Sequence, residues 1–266
     1  MNTAVGNLTR PQASNADSLA ALKLKLGLVL LVFLIAATVP YVWLIEHFGY
    51  DDILRESTPV ILHNFNTGGS PLVLAWLAFA LSSLLFLPVV LGFDRLFIAL
   101  RIAGHGAVLL GSASAIAQAV GLLRWVLVVP PLASQFADPQ TSAATRDAVV
   151  VVFDAVHRYG GSLLGEMLGQ LLLAGWTGLV AWQLFRSGVV PRWLAAVGAL
   201  TLPLWLVGQS EVLHAVVPAI PSIELIPLAF MAWEAWLAAL ALTLLGTAWR
   251  GHQAGAAARR APASAL

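Results

Sequence analysis

Cysteine is absent from the chain. Disulfides, thiolate metal ligation and thiol redox chemistry are therefore excluded. Charge is scarce as well. Asp, Glu, Lys and Arg make up 10% of the residues and 59% are hydrophobic, whereas a soluble domain carries about a quarter charged residues. Lysine occurs only at Lys23 and Lys25, and the other basic residues are Arg. The formal net charge of +1 lacks the basic excess that binds nucleic acid, so no nucleic-acid partner is expected. Walker, GxSxG, HxxxH and HExxH patterns are missing. Three Met and no Cys disfavour a soft copper site. No convincing internal repeat supports an inverted-repeat transporter.

What remains is a series of long apolar runs. The expected fold is all-α: a polytopic membrane protein built as a six-helix transmembrane bundle. Each run is long enough to cross a bilayer. The spans fall at roughly 26–45, 71–93, 102–129, 160–185, 193–216 and 225–249. The first is too long for a signal-peptide core and is expected to be retained, with a kink at Pro40. Residues 1–22 read as a mobile N-terminal segment, 23–250 as the membrane domain and 251–266 as a disordered tail. Glu46 to Ser70 reads as a polar loop.

Basic residues set the orientation. Arg10, Lys23, Lys25, Arg95, Arg101, Arg186, Arg192, Arg250, Arg259 and Arg260 fall on one side of the six-span arrangement. Arg55, Arg146 and Arg158 fall on the other, and Arg124 lies within a span. This excess places the N- and C-termini in the cytoplasm. The Asn7-Leu8-Thr9 sequon then lies on the wrong side to be glycosylated.

Within that topology the polar residues of several spans collect at one level. At 1.5 Å per residue, Arg124 lies about 9 Å below the outer end of span three, with Glu166 at a similar depth in span four. Glu211 and His214 lie near the outer end of span five, Glu46 and His47 at that of span one, and Glu234 near the midplane of span six. In the inner half, His105 is well inside the membrane. Ser114, Ala117, Gly121 and Arg124 share one stripe of span three, and Ser162, Glu166 and Gln170 one stripe of span four. Gly161, Gly165 and Gly169 recur at steps of four, which lets another helix approach closely. At α-helical phase His157, nine residues before Glu166, faces about half a turn away.

Buried charges in a bilayer must pair or meet water. Arg124, Glu166, Gln170, Glu211 and Glu234 are therefore the candidate ligand-binding residues, lining a polar cavity in the outer half of the bundle. Arg124 is expected to pair with Glu166, and Glu211 is the competing partner. Plainer readings stand beside this one. Arg124 is near enough to the surface to snorkel, and an Arg–Glu pair can simply set helix register. No catalytic set is assigned and no cofactor is expected. His157 and His214, with Glu211 and Glu46, are weak metal candidates, and haem ligation would need His facing His inside the bundle. Three functional classes follow: binding or transport of a small ligand, an integral-membrane enzyme with a His/carboxylate site that a metal could join, and a non-catalytic membrane subunit or regulator whose buried charges set assembly, to which a partner subunit could belong. The first is favoured. The lipid bilayer is the one partner that all three share.

The run Gly121-Leu122-Leu123-Arg124-Trp125-Val126-Leu127-Val128-Val129-Pro130-Pro131-Leu132-Ala133 resembles the DUF4386 family of bacterial membrane proteins. Tyr159-Gly160-Gly161, Gly165-Glu166-x-Leu168-Gly169-Gln170, Pro191-Arg192-Trp193-Leu194 and the pair Trp233 and Trp236 agree with it. The resemblance covers roughly 72–249. It implies a multi-span protein of the bacterial inner membrane and no particular activity. Glu234, between the two Trp, is unusual for the pattern.

Overall fold

A computed structural model describes the backbone of residues 9–50, 52–102 and 105–260, and the side chains of 17–50, 52–102, 106–251 and 253. Residues Asn7 and Leu8 of the sequon, Asp51, and the side chains of Arg10, His105, His252, Arg259 and Arg260 lie outside the described residues.

The described residues are helical, without strands, and contain six helices long and apolar enough to cross a membrane. The protein is a multi-pass membrane protein. Span one is α1 (Thr9–Phe48) and span two is α2 (Thr58–Ala99). Span three combines α3 (His105–Leu127) and α4 (Val129–Ala137). Span four joins α5 (Ala143–Val156), a π-helix (His157–Gly169) and α6 (Gln170–Ser187). Span five is α7 (Arg192–Leu200) with α8 (Leu202–His214), and span six is α9 (Ile226–Arg260).

Several helices outrun their expected bounds. Residues 9–22, expected to be mobile, belong to α1, and 251–260, expected to be disordered, extend α9. The tail is rich in Ala, the strongest helix former. The Glu46–Ser70 loop shrinks to a short 3₁₀ turn (Asp52–Arg55), because a helix restarts at Thr58 with Pro59 in its first turn. Ile61, Leu62 and Phe65 give this restarted segment a buried apolar face among its polar residues. The chain breaks at Gly69, where φ is 55° and ψ is −151°, a conformation open to glycine. α1 stays helical through Pro40.

Each span packs on the one before it, and α9 returns to pack on α1. The spans thus form a closed ring in chain order. The outer surface is apolar: Val32, Ile35, Val39, Leu109, Leu127 and Leu242 are all exposed, as lipid contact requires. Inside are two apolar clusters. One, around Phe86, Phe93, Trp176, Trp233 and Trp236, fills the end that carries the termini. The other, around Phe48, Phe65, Trp76, Trp125 and Phe153, fills the opposite end, called here the loop end. There Trp76 and Trp125 stack with centroids 4.8 Å apart and planes 13° from parallel, and Phe65 stacks on Trp125 at 5.6 Å.

Candidate functional site

Between the two clusters lies a cavity of ≈ 80 Å³. Spans three and four supply its polar wall: Gln118 and Arg124 from α3, Glu166 from the π-helix and Gln170 from α6. Tyr41, Tyr50, Phe79 and Phe230 supply an aromatic wall, with Tyr41 in ring contact with each of the other three at 5.1 to 5.8 Å. A wider vestibule of ≈ 550 Å³ adjoins the cavity and shares Tyr50, Glu166, Gln170, Ile226 and Pro227 with it. Arg55, His157, Glu211, His214 and Glu224 line the vestibule.

The polar wall is assembled by close backbone approach. A Cβ on Gly121 would meet the Gly160 carbonyl oxygen at 2.7 Å and the Gly165 Cα at 2.9 Å. Only glycine lets α3 lie this close to the π-helix. Ser114 Oγ donates to the Gly169 carbonyl at 2.8 Å, and Gln118 Nε2 donates to Ser114 Oγ at 2.9 Å. At the other end of the segment, Thr58 Oγ1 donates to Asp154, fixing α5 to the start of α2. The expected glycine ridge is therefore the surface that receives α3.

Arg124 is buried, at 7% exposure. Its Nη1 donates to the Gly121 carbonyl at 2.6 Å, its guanidinium lies 5.0 Å from the Trp125 ring centroid, and its Nε has no hydrogen-bond partner. Glu166 lines the same cavity and is the carboxylate whose charge acts on Arg124. Trp205 Nε1, on a second residue lining the cavity, is also buried without a partner. Buried polar groups are normally satisfied; the Nε1 atoms of Trp76, Trp125 and Trp176, which do not line the cavity, are unpaired in the same way.

The π-helix changes the expected phase of span four. Its backbone bonds reach one residue further than in an α-helix, so each residue turns the chain by only about 80°. Nine residues then sweep about two full turns, and His157 joins Glu166 and Ser162 on the vestibule wall. The half-turn offset expected from α-helical spacing is thereby corrected. His157 stacks on Phe153 at 5.3 Å, and its Nδ1 is buried without a partner.

Glu211 is engaged elsewhere than at Arg124. Arg55 donates to Glu211 Oε1 from Nε at 3.0 Å and from Nη2 at 2.8 Å. The same guanidinium reaches Asp52 at 2.9 Å and Glu224 at 3.6 Å. Partial burial pulls the Arg55 pKa down, but the hydrogen bond to Glu211 and the charges of Glu211, Glu224 and Asp52 outweigh it, and the net shift is upward. Glu234 lies outside both cavities and accepts hydrogen bonds from Thr38 Oγ1 at 3.1 and 3.2 Å, across the α1–α9 contact. Gln170 lines the cavity while its Oε1 accepts from Gln209 Nε2 at 2.8 Å. Among the described residues no group of three or more His, Asp or Glu is placed to hold a metal ion. His214 Nδ1 lies 2.7 Å from the Ile220 carbonyl oxygen, and Glu46 is absent from the vestibule wall.

The sequence pattern that this site occupies extends over most of the chain. The profile of DUF4386, described as a domain of unknown function, matches residues 26–243. The chain belongs to the DUF4386 family. No curated protein and no solved structure matches it. In this DUF4386 protein, Gly165-Glu166 and Gly169-Gln170 put two polar side chains on the cavity wall and two glycines into the span-three contact. Sequence reasoning missed Gln118, although Ser114, Gln118 and Gly121 share an i, i+4, i+7 face. It also missed the aromatic wall, whose members come from α1, α2, α9 and the α1–α2 connection.

Proposed function

We propose that this DUF4386 protein binds, or binds and moves, a small amphipathic ligand of the bacterial inner membrane or the space outside it. The ligand reaches the cavity through the vestibule at the loop end, and both termini face the cytoplasm. The observation that carries this reading is Arg124, a buried guanidinium lining, with Glu166, a cavity that adjoins a larger one. A residue needed only for helix register has no use for an adjoining water-sized space, and a snorkelling Arg would reach for the headgroups rather than sit at 7% exposure. The aromatic wall would hold the apolar part of the ligand, and Arg124, Glu166, Gln118 and Gln170 its polar part.

The absence of native cysteine makes the test direct. In Gln118→Cys, the new thiol is expected to react with a small charged thiol reagent added from the outside of intact cells, and much more slowly from inside-out vesicles. A thiol at this position that is inert from both sides of the membrane would remove the cavity as a binding site.

A further inference from the structure

We infer that the seam between the first and last spans holds an anionic phospholipid, at a site independent of the cavity. α1 and α9 run antiparallel there and touch at two places near the end that carries the termini. A Cβ on Gly27 would meet the Leu245 side chain at 2.7 Å, and a Cβ on Gly251 would meet the Ala20 Cβ at 3.5 Å. Between these levels lies a groove of ≈ 510 Å³, lined by Leu24, Leu245, Gly246 and Trp249. Gly246 keeps it open: a Cβ built there would meet nothing within 4 Å. Leu24 and Trp249 are exposed, so the groove faces out of the bundle. Leu28 and Leu242, one turn deeper on either helix, are exposed as well and continue the apolar track. Trp249 marks the level at which Trp meets lipid headgroups.

The lining residues carry no charge and suit an acyl chain. The cations beside them select the headgroup. Lys25 follows Leu24 in α1, and Arg250 follows Trp249 in α9 and shares the Gly246 face, four residues on. Both are exposed, and Lys23 is half-buried. The two lysines of the chain thus stand together here. Past Asp17, two turns before Leu24, neither helix offers an acid near them: residues 18–45 and 235–266 contain no Asp or Glu. Ammonium and guanidinium groups hold phosphate by charge-assisted hydrogen bonds, and basic clusters at the ends of spans attract anionic lipids. A zwitterionic headgroup brings its own cation to the same rim and gains less. A second copy seated here by twofold symmetry would set Lys25 and Arg250 against their own like charges.

The experiment is native mass spectrometry of the full-length protein in detergent, titrated with palmitoyl-oleoyl phosphatidylglycerol or palmitoyl-oleoyl phosphatidylcholine. A cation near an anionic headgroup is worth about fivefold in affinity, so the first phosphatidylglycerol is expected to bind at least about tenfold more tightly than the first phosphatidylcholine. Lys25→Gln with Arg250→Gln is expected to bring the two lipids within about threefold of each other. Arg186→Gln with Arg192→Gln removes two exposed cations at the same end, between spans four and five, and is expected to leave the preference intact. Gly246→Leu fills the groove without altering a charge, suits a helix, and is expected to abolish the high-affinity adduct. Equal affinities of the two lipids for the unaltered protein overturn the inference. So does an Arg186/Arg192 variant that loses as much as the Lys25/Arg250 variant, or a Gly246→Leu protein that keeps the adduct. A dimer that Gly246→Leu splits would give the groove to a second copy and overturn it as well.

Discussion

The guanidinium of Arg124 lies against the bare backbone of Gly161. A Cβ built on that glycine would stand 2.6 Å from Nη2 and 2.8 Å from Cζ. One position earlier, a Cβ on Gly160 would meet the Arg124 Cδ at an ordinary 3.5 Å. Two adjacent glycines are therefore inequivalent, and the position of the buried cation depends on one of them.

The first prediction separates that pair. Gly161→Ala is expected to push Arg124 from its seat, at about 1–3 kcal/mol for overpacking. Combined with Gln118→Cys, it should also slow labelling of the introduced thiol as the guanidinium moves into the cavity. Gly160→Ala should be neutral or slightly stabilising, by up to about 1 kcal/mol from helix propensity. Thermal unfolding of the two variants in detergent checks this, and equal melting temperatures would contradict it.

Gly121 is expected to be less forgiving. Its neighbours are backbone atoms, which cannot swing aside as a side chain can. Gly121→Ala should cost about 3 kcal/mol or more by prising α3 from the π-helix, seen as loss of monodisperse protein. Gly165→Ala, whose Cβ would meet its nearest atom at 3.5 Å, should retain most of it. Comparable yields for the two would show that the helices have slack at this crossing.

Arg55 and Glu211 close one side of the vestibule by an exposed pair. Arg55→Ala is expected to change stability by only about 0–1 kcal/mol, yet to speed thiol labelling several-fold in the Gln118→Cys background. The Arg55 pKa is raised in the folded protein. Its contribution is therefore fully present below the unfolded value and is lost only as pH rises through the higher folded one. Arginine stays protonated throughout the physiological range, so the ratio of labelling rates, with and without Arg55→Ala, should be the same at about pH 6.5 and about pH 9. A ratio that drifts with pH would mean another group controls access.

Thr38 and Glu234 call for a double-mutant cycle. Thr38→Val removes the donor to a partly buried carboxylate and should cost about 1–3 kcal/mol. Glu234→Gln keeps an acceptor for Thr38 and should cost less. Replacing both, as Thr38→Val with Glu234→Met, should recover most of the loss, since a polar pair exchanged together for apolar groups is close to neutral. Additive losses in urea or thermal unfolding would show that the two side chains do not depend on each other.

Much of this architecture is written in local periodicity, which is why six spans could be counted and why the Ser114–Gly121–Arg124 face pointed to its partner helix. The π-helix could not be read in the same way. Its bonds shift by one residue without changing composition, so α-helical spacing sent His157 to the wrong face while Glu166 and Gln170 survived the change. The start of α2 was hidden for a different reason: His63, Asn64, Asn66 and Thr67 surround Ile61, Leu62 and Phe65 and give the stretch the look of a loop. Long-range pairing left no local trace at all. Arg55 meets Glu211 across 156 residues, and Thr38 meets Glu234 across 196. Charge scarcity showed that such residues needed partners, but not which ones.

The six spans join edge to edge in chain order until α9 comes back to α1. Every other seam is stitched by the polypeptide itself. The last is a zipper of side chains: Gly27 beneath Leu245, Phe33 edge-on to Trp233, Tyr41 against Phe230, and Thr38 clasped to Glu234. No connecting loop spans this seam, so the closure of the ring rests there on the fit of side chains from the first span and the last.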